Sequence, residues 1–204
     1  ISDTLYKAHP EILKKSIIIK GKEVPLVSKG HEYDLTSNIL DKNPALFFET
    51  KPNDGDGYVR IYGRQGGKRV FRFFERSFLQ PVDGLNGYKV ILPESNSDGT
   101  FGETLVSPFV AEPDVVTTQT FITIGFYSNK QEAEAVLKYI KGKFARAMLG
   151  TLKITQHNKR DTWKNVPLQN FTSASDINWS ASIRDIDQQL YKKYGLSQQE
   201  SDFI

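Results

Sequence analysis

Hydrophobic residues recur along the chain at two different periods. Over residues 15–20, 45–50, 58–63, 69–74 and 88–92, short runs rich in β-branched and aromatic residues are separated by Gly, Pro, Asn and Asp, which predicts strands. The clearest unit spans residues 58–74. Two strand-like runs flank Arg64-Gln65-Gly66-Gly67-Lys68, and the adjacent glycines supply the positive φ that a hairpin turn needs. Alternation puts Tyr58, Arg60 and Tyr62 on one face of the first strand and Val59 and Ile61 on the other; in the second, Arg69, Phe71 and Phe73 alternate with Val70, Arg72 and Phe74. The polar, Gly-bearing loops 52–57 and 93–102 are expected at the surface. After a strand over residues 120–126 the period lengthens. Ser128 and Gln131 read as a capping box, and Ala133, Val136, Leu137, Ile140, Phe144, Ala147 and Met148 follow at helical spacing, with Gly150 as the stop. A second helix is predicted over about residues 182–194, with Ile183, Ile186, Leu190 and Tyr194 inward and Gly195 ending it. Trp163 and Trp179 read as core anchors. The pattern predicts an α+β fold, with a β-rich portion over residues 1–127 carrying the hairpin and a helical portion over residues 128–204.

At 204 residues the chain is long enough to bury a core without covalent staples. It has no cysteine, which excludes disulfide scaffolds, thiol nucleophiles and zinc–thiolate sites. No apolar run approaches the ~18–20 residues that span a bilayer; the longest, Ser16-Ile17-Ile18-Ile19, is stopped by Lys20. The chain opens on Ile1 without a signal-peptide pattern and closes on the capping box Ser197-Gln198-Gln199-Glu200, so a cytoplasmic piece of a larger protein is the expectation.

Charge changes this picture more than composition does. The net charge is only +3, from 27 Lys+Arg against 24 Asp+Glu, but it is segregated. Arg60, Arg64, Lys68, Arg69, Arg72 and Arg76 are opposed locally by Glu75 alone, and eight cations between Lys138 and Lys164 face only Asp161. Acidic residues gather elsewhere, as at Asp54 and Asp56, and at Asp176, Asp185, Asp187, Glu200 and Asp202. Segregated positive charge is the footprint of a nucleic-acid binder, with an ordinary solvated surface as the alternative. A two-stranded ribbon fits the major groove, and arginine reads guanine there through a bidentate fork. Arg60, Arg64, Gln65, Lys68, Arg69 and Arg72 on the hairpin are therefore candidate DNA contacts. Lys141, Arg146, Lys153, Gln156, Lys159 and Arg160 form a second candidate surface, where hydroxyls, amides and cations suited to phosphates cluster around residues 151–160.

Catalytic patterns are sparse. His9, His31 and His157 are far apart in sequence, and no His-Glu-x-x-His, phosphate-binding Gly-x-x-x-x-Gly-Lys or Gly-x-Ser-x-Gly occurs. Glu49-Thr50-Lys51 with Asp41 upstream offers one alternative, a metal-dependent nuclease in which carboxylates hold a divalent cation and the lysine polarises water. The other alternative is a scaffold whose aromatic-rich surface docks a catalytic domain or a separate subunit.

Several longer runs carry a resemblance: Gly102-Glu103-Thr104-Leu105-Val106-Ser107-Pro108-Phe109, Thr120-Phe121-Ile122-Thr123-Ile124-Gly125, residues 132–147, Lys153-Ile154-Thr155-Gln156, Val166-Pro167-Leu168-Gln169-Asn170-Phe171 and residues 187–196. Together they resemble the C-terminal region of adenine-specific DNA methyltransferases of bacterial type II restriction-modification systems. The resemblance covers the second half of the chain, and in the first half rests on Ile61-Tyr62-Gly63-Arg64 and Arg69-Val70. It implies a target-recognition region for double-stranded DNA, covalently attached to a methyltransferase domain in a parent protein for which restriction endonuclease activity is a further expectation. Asn-Pro-Pro-aromatic is missing; Asn43-Pro44-Ala45-Leu46 lacks the second proline and the aromatic. S-adenosylmethionine is accordingly expected in the upstream domain, with no cofactor and no catalytic residue in this chain.

Overall fold

The computed structural model describes residues 1–52, 55–96, 100–153 and 155–204; Asp54, the centre of the 93–102 loop and Ile154 lie outside the described residues. In chain order the elements are α1 (Asp3–Ala8), β1 (Ser16–Ile19), β2 (Lys22–Pro25), α2 (Ile39–Lys42), β3 (Tyr58–Gln65), β4 (Lys68–Glu75), β5 (Tyr88–Pro93), β6 (Phe109–Ala111), β7 (Val115–Thr117), β8 (Phe121–Tyr127), α3 (Lys130–Lys141), α4 (Lys143–Gly150), α5 (Ile183–Lys193) and α6 (Gln198–Phe203). The fold is α+β, with strands through the first portion and the longer helices after it. Packing divides the chain elsewhere than at residue 127. One unit comprises Ile1–Asn86 and Asp114–Phe121, the other Gly87–Pro113 and Ile122–Ile204. Strands β5, β6 and β8 thus belong with the helices. The reason lies in β5, where Lys89 through Pro93 are all buried. Such a strand needs cover on both faces, and α3 packs on it.

In the first unit β3 is the middle of a three-stranded sheet of order β4-β3-β7. It runs antiparallel to β4 from Tyr58↔Glu75 to Gln65↔Lys68 and parallel to β7 from Arg60↔Val115 to Tyr62↔Thr117. Val59, Ile61 and Phe74 turn inward onto Leu5, Ile39, Leu40, Phe47 and Phe78. Gly63 allows this approach: a Cβ there would stand 2.8 Å from Thr118 Cγ2 and 3.0 Å from a methyl of Leu40. Residues 45–50 are not a strand. Pro44–Leu46 forms a 3₁₀ turn, which suits a proline without an N–H at the first position, and Phe48 makes only an isolated bridge to Phe73. A separate hairpin pairs β1 with β2. Strands β2, β6 and β7 had no counterpart in the sequence reading because three or four residues carry too little alternation.

In the second unit the sheet order is β6-β5-β8, and Val90 and Leu92 share a core with Val136, Tyr139, Ile140, Phe144, Ile186 and Leu190. The single helix predicted to run to Gly150 is broken in two. Gly142 takes an extended conformation (ψ 154°), and Asp187 accepts hydrogen bonds from the N–H groups of Lys143 (2.9 Å) and Phe144 (3.1 Å), capping α4 from α5. Gly142 also makes room, since a Cβ there would meet Asp187 Oδ1 at 2.6 Å. The α3 cap is Asn129 rather than Ser128, its side chain accepting from Glu132 N–H at 2.9 Å. Helix α5 starts on Ser182, whose hydroxyl accepts from Asp185 N–H. Its buried aromatic is Tyr191, while Tyr194 is exposed and stacks on Phe144 at 4.8 Å. Trp163 and Trp179 both pack on the core. Among the described residues no helix is long and apolar enough to cross a membrane.

Candidate functional site

The β3–β4 hairpin is closed by Gly66 and Gly67, with φ of 56° and 79°. Two consecutive positive φ values are the requirement of the tight type I′ turn, whose twist matches that of the strands. Asp41 fastens this turn, its Oδ1 accepting from Gly66 N–H at 2.8 Å. Residues directly opposite across the strands share a face, so the register sorts the six hairpin candidates. Gln65 and Arg72 lie on the inward face and are engaged with the protein. Gln65 donates to Leu40 O (3.3 Å) and accepts from Arg72 Nε (2.9 Å); Arg72 also donates to Phe71 O and pairs with Glu49 at 3.0 Å. The Arg72 side chain is only 17% exposed, so neither residue is available as a base reader. Lys68 shares the Gln65 face but is exposed at its edge.

Arg60, Arg64 and Arg69 stand on the outward face and are exposed. The Arg60 guanidinium lies 4.2 Å from the centroid of Phe71, and that of Arg69 lies 5.9 Å from Phe121. Arg64 makes one long hydrogen bond, 3.4 Å to Gly67 O. Among the described residues Arg60, Arg64, Lys68 and Arg69 form no ion pair. Arg64 and Arg69 are direct cross-strand partners, a like-charge arrangement that costs stability. Phe121 beneath Arg69 was missed in sequence because nothing local links it to the hairpin.

The second candidate surface lies in the other unit and is less uniform. Lys153 does not face solvent. It forms a buried ion pair with Glu103, the two side chains 2% and 7% exposed, so it is a structural residue and not a phosphate contact. Arg146 is half-buried, donating to Gly102 O (3.0 Å) and Thr104 Oγ1 (2.9 Å), and from Nε to Gly142 O at 3.3 Å. Lys138 donates to three consecutive carbonyls, those of Trp179, Ser180 and Ala181. Lys141, Gln156, Lys159 and Arg160 remain exposed.

Catalytic alternatives find little geometry. Asp41 serves the hairpin turn and Glu49 serves Arg72, and among the described residues no group of three or more His, Asp or Glu is placed to hold a metal. His157 meets Ser95 Oγ at 3.1 Å and Glu94 Oε2 at 3.2 Å, but both reach the same atom, Nδ1. A nucleophile relay needs the carboxylate and the hydroxyl on opposite ring nitrogens. The second unit also holds an open cavity of about 520 Å³, lined by Ile122, Ile124, Trp163, Val166, Leu168 and Phe171 among others. Tyr139 is at its wall, donating to Pro167 O at 2.7 Å, with burial pushing its phenol pKa well up. No family model, curated protein or solved structure matches the chain.

Proposed function

We propose that this chain recognises specific double-stranded DNA sequences for an adenine-specific type II restriction-modification methyltransferase. Methyl transfer and S-adenosylmethionine binding belong, in this reading, to a covalently attached domain. The observation that carries the proposal is the hairpin tip. A rigid two-residue turn presents Arg64, Lys68 and Arg69 in solvent without an ion pair among the described residues, and two of these cations face each other across the strands. Phosphates and guanine edges are the partners that suit such a group. The sequence resemblance supplies the biological setting, because a base can be extruded and methylated only after the enzyme is positioned on its site.

The test is competition binding of the full-length protein to duplexes at several salt concentrations. Wild type is expected to bind with affinity that falls steeply with salt, and the double variant R64A/R69A to lose most of its preference for the cognate duplex. Salt-independent binding, or unchanged binding by the double variant, would overturn the reading. A docking role for the second unit has its own support in the open apolar cavity and in Leu168, which is 90% exposed at its edge. If L168D releases a separately expressed methyltransferase domain while DNA affinity stays intact, that unit is a docking surface.

A further inference from the structure

Arg64 and Arg69 form the rung next to the closing pair Gln65↔Lys68. In an antiparallel ladder, rungs alternate between hydrogen-bonded and non-hydrogen-bonded pairs. The rung that closes a two-residue turn is hydrogen-bonded, so Arg64↔Arg69 is of the other kind, with Cα atoms about 4.5 Å apart and side chains at their closest. Both project from one face of the ribbon. Neighbouring base pairs are separated by about 3.4 Å along the duplex. Two long guanidinium side chains leaving one rung together therefore match two stacked base pairs better than two distant ones. The Arg69 guanidinium lies 5.9 Å from the centroid of the Phe121 ring, a contact that leaves the N–H edge of its planar fork for another partner. Gln65, which would read adenine, is tied to Leu40 O and Arg72, and Lys68 shares its face, opposite to that of the arginines. The tip thus offers two guanine readers and no free adenine reader.

We infer that the recognition sequence contains two consecutive G·C base pairs, each guanine read in the major groove by one member of the Arg64–Arg69 rung. This rests on the DNA-recognition reading above and deepens it. The test selects bound duplexes from a randomised pool with the full-length protein, wild type and the charge-preserving variants R64K and R69K. Lysine keeps the positive charge and replaces the planar, pre-organised fork by a flexible ammonium, so phosphate attraction is kept while forked base reading is lost. Wild type is expected to select two adjacent G·C pairs. R64K should lose discrimination at one of them and R69K at its neighbour, each by roughly 5- to 150-fold, with the salt dependence unchanged. Thermal melts that match wild type show that the variants are folded. Selection of a site without adjacent G·C pairs overturns the inference and leaves DNA recognition standing, as does loss at non-adjacent positions or none in folded variants. Absence of any salt-dependent DNA binding by wild type overturns both.

Discussion

The two basic stretches look equivalent in sequence, and in three dimensions they are not. In the hairpin, Arg64, Lys68 and Arg69 stand exposed beside a two-residue turn, and their contacts among the described residues are one long hydrogen bond from Arg64 to Gly67 O and the ring of Phe121 near Arg69. In the stretch from Lys138 onward, the ammonium of Lys138 gathers three carbonyls, Arg146 ties α4 to Gly102 and Thr104, and Lys153 is buried against Glu103. Lys138 and Arg146 thus hold irregular backbone, where carbonyls have no ladder partner. The hairpin has its ladder already, and of its cations Arg72 is tied inward to Gln65, Phe71 O and Glu49, while Arg64, Lys68 and Arg69 stay exposed without an ion pair among the described residues. A count of positive residues therefore separates neither surface from scaffold; the supply of orphan carbonyls and buried carboxylates does.

The largest effect that could break this comparison is at Lys153. Replacing it by Ala removes the cation paired with the buried Glu103 carboxylate, and breaking a buried pair in this way costs about 3–5 kcal/mol. Urea unfolding of the full chain should show that loss, with the folded fraction keeping its DNA affinity. A Lys153→Ala protein of unchanged stability but weakened DNA binding would make Lys153 a phosphate contact after all.

Arg146 should cost less, because it is half-buried and water can replace part of its network. Arg146→Met removes donors to Gly102 O, Thr104 Oγ1 and Gly142 O, for an expected loss of about 1–2 kcal/mol. The same melts measure it. If instead DNA affinity falls on all sequences and the midpoint of unfolding stays put, Arg146 belongs with the exposed Lys141, Lys159 and Arg160.

Much of the fold was readable where a strong period or turn signal existed. The hairpin follows from Gly66-Gly67 between two alternating runs, and the cores of α3 and α5 follow from Val136, Ile140, Ile186 and Leu190. What failed depended on distant partners. The break at Gly142 requires Asp187, forty-five positions on, to take over two N–H groups. Glu49 and Asp41 resembled metal ligands until their partners, Arg72 and Gly66, were known. The division into two units was hidden because the chain leaves the first unit at Asn86 and returns to it at Asp114. Residues carrying the family resemblance, such as Glu103, Tyr139, Lys153, Gln169 and Asp187, turn out to hold the second unit together: Gln169 reaches the Tyr194 hydroxyl at 2.8 Å, and Tyr139 reaches Pro167 O. Both proposed base readers, Arg64 and Arg69, fall within the resembling runs, whereas Arg60, Gln65, Lys68 and Arg72 of the same hairpin fall outside them.

The smallest effect is the most telling for the hairpin. Two exposed arginines directly opposed on one rung repel, and like charges in that position cost roughly 0.2–1 kcal/mol. Arg64→Ala should therefore leave the protein as stable as before or more stable by a few tenths of a kcal/mol, and Arg69→Ala should do the same, less whatever its contact with Phe121 contributes. The double variant should show no further gain, because either single change already removes the repulsion. Salt supplies the control. Screening weakens a surface repulsion, so the advantage of the variants should shrink between 0.01 M and 1 M salt, over which the Debye length falls from about 30 Å to about 3 Å. Thermal melts across that range measure the trend. If either variant instead loses more than about 1 kcal/mol at every salt concentration, the arginines are part of the hairpin's own stability. The contrast between the two basic regions would then disappear, and with it the reason for placing recognition at the tip.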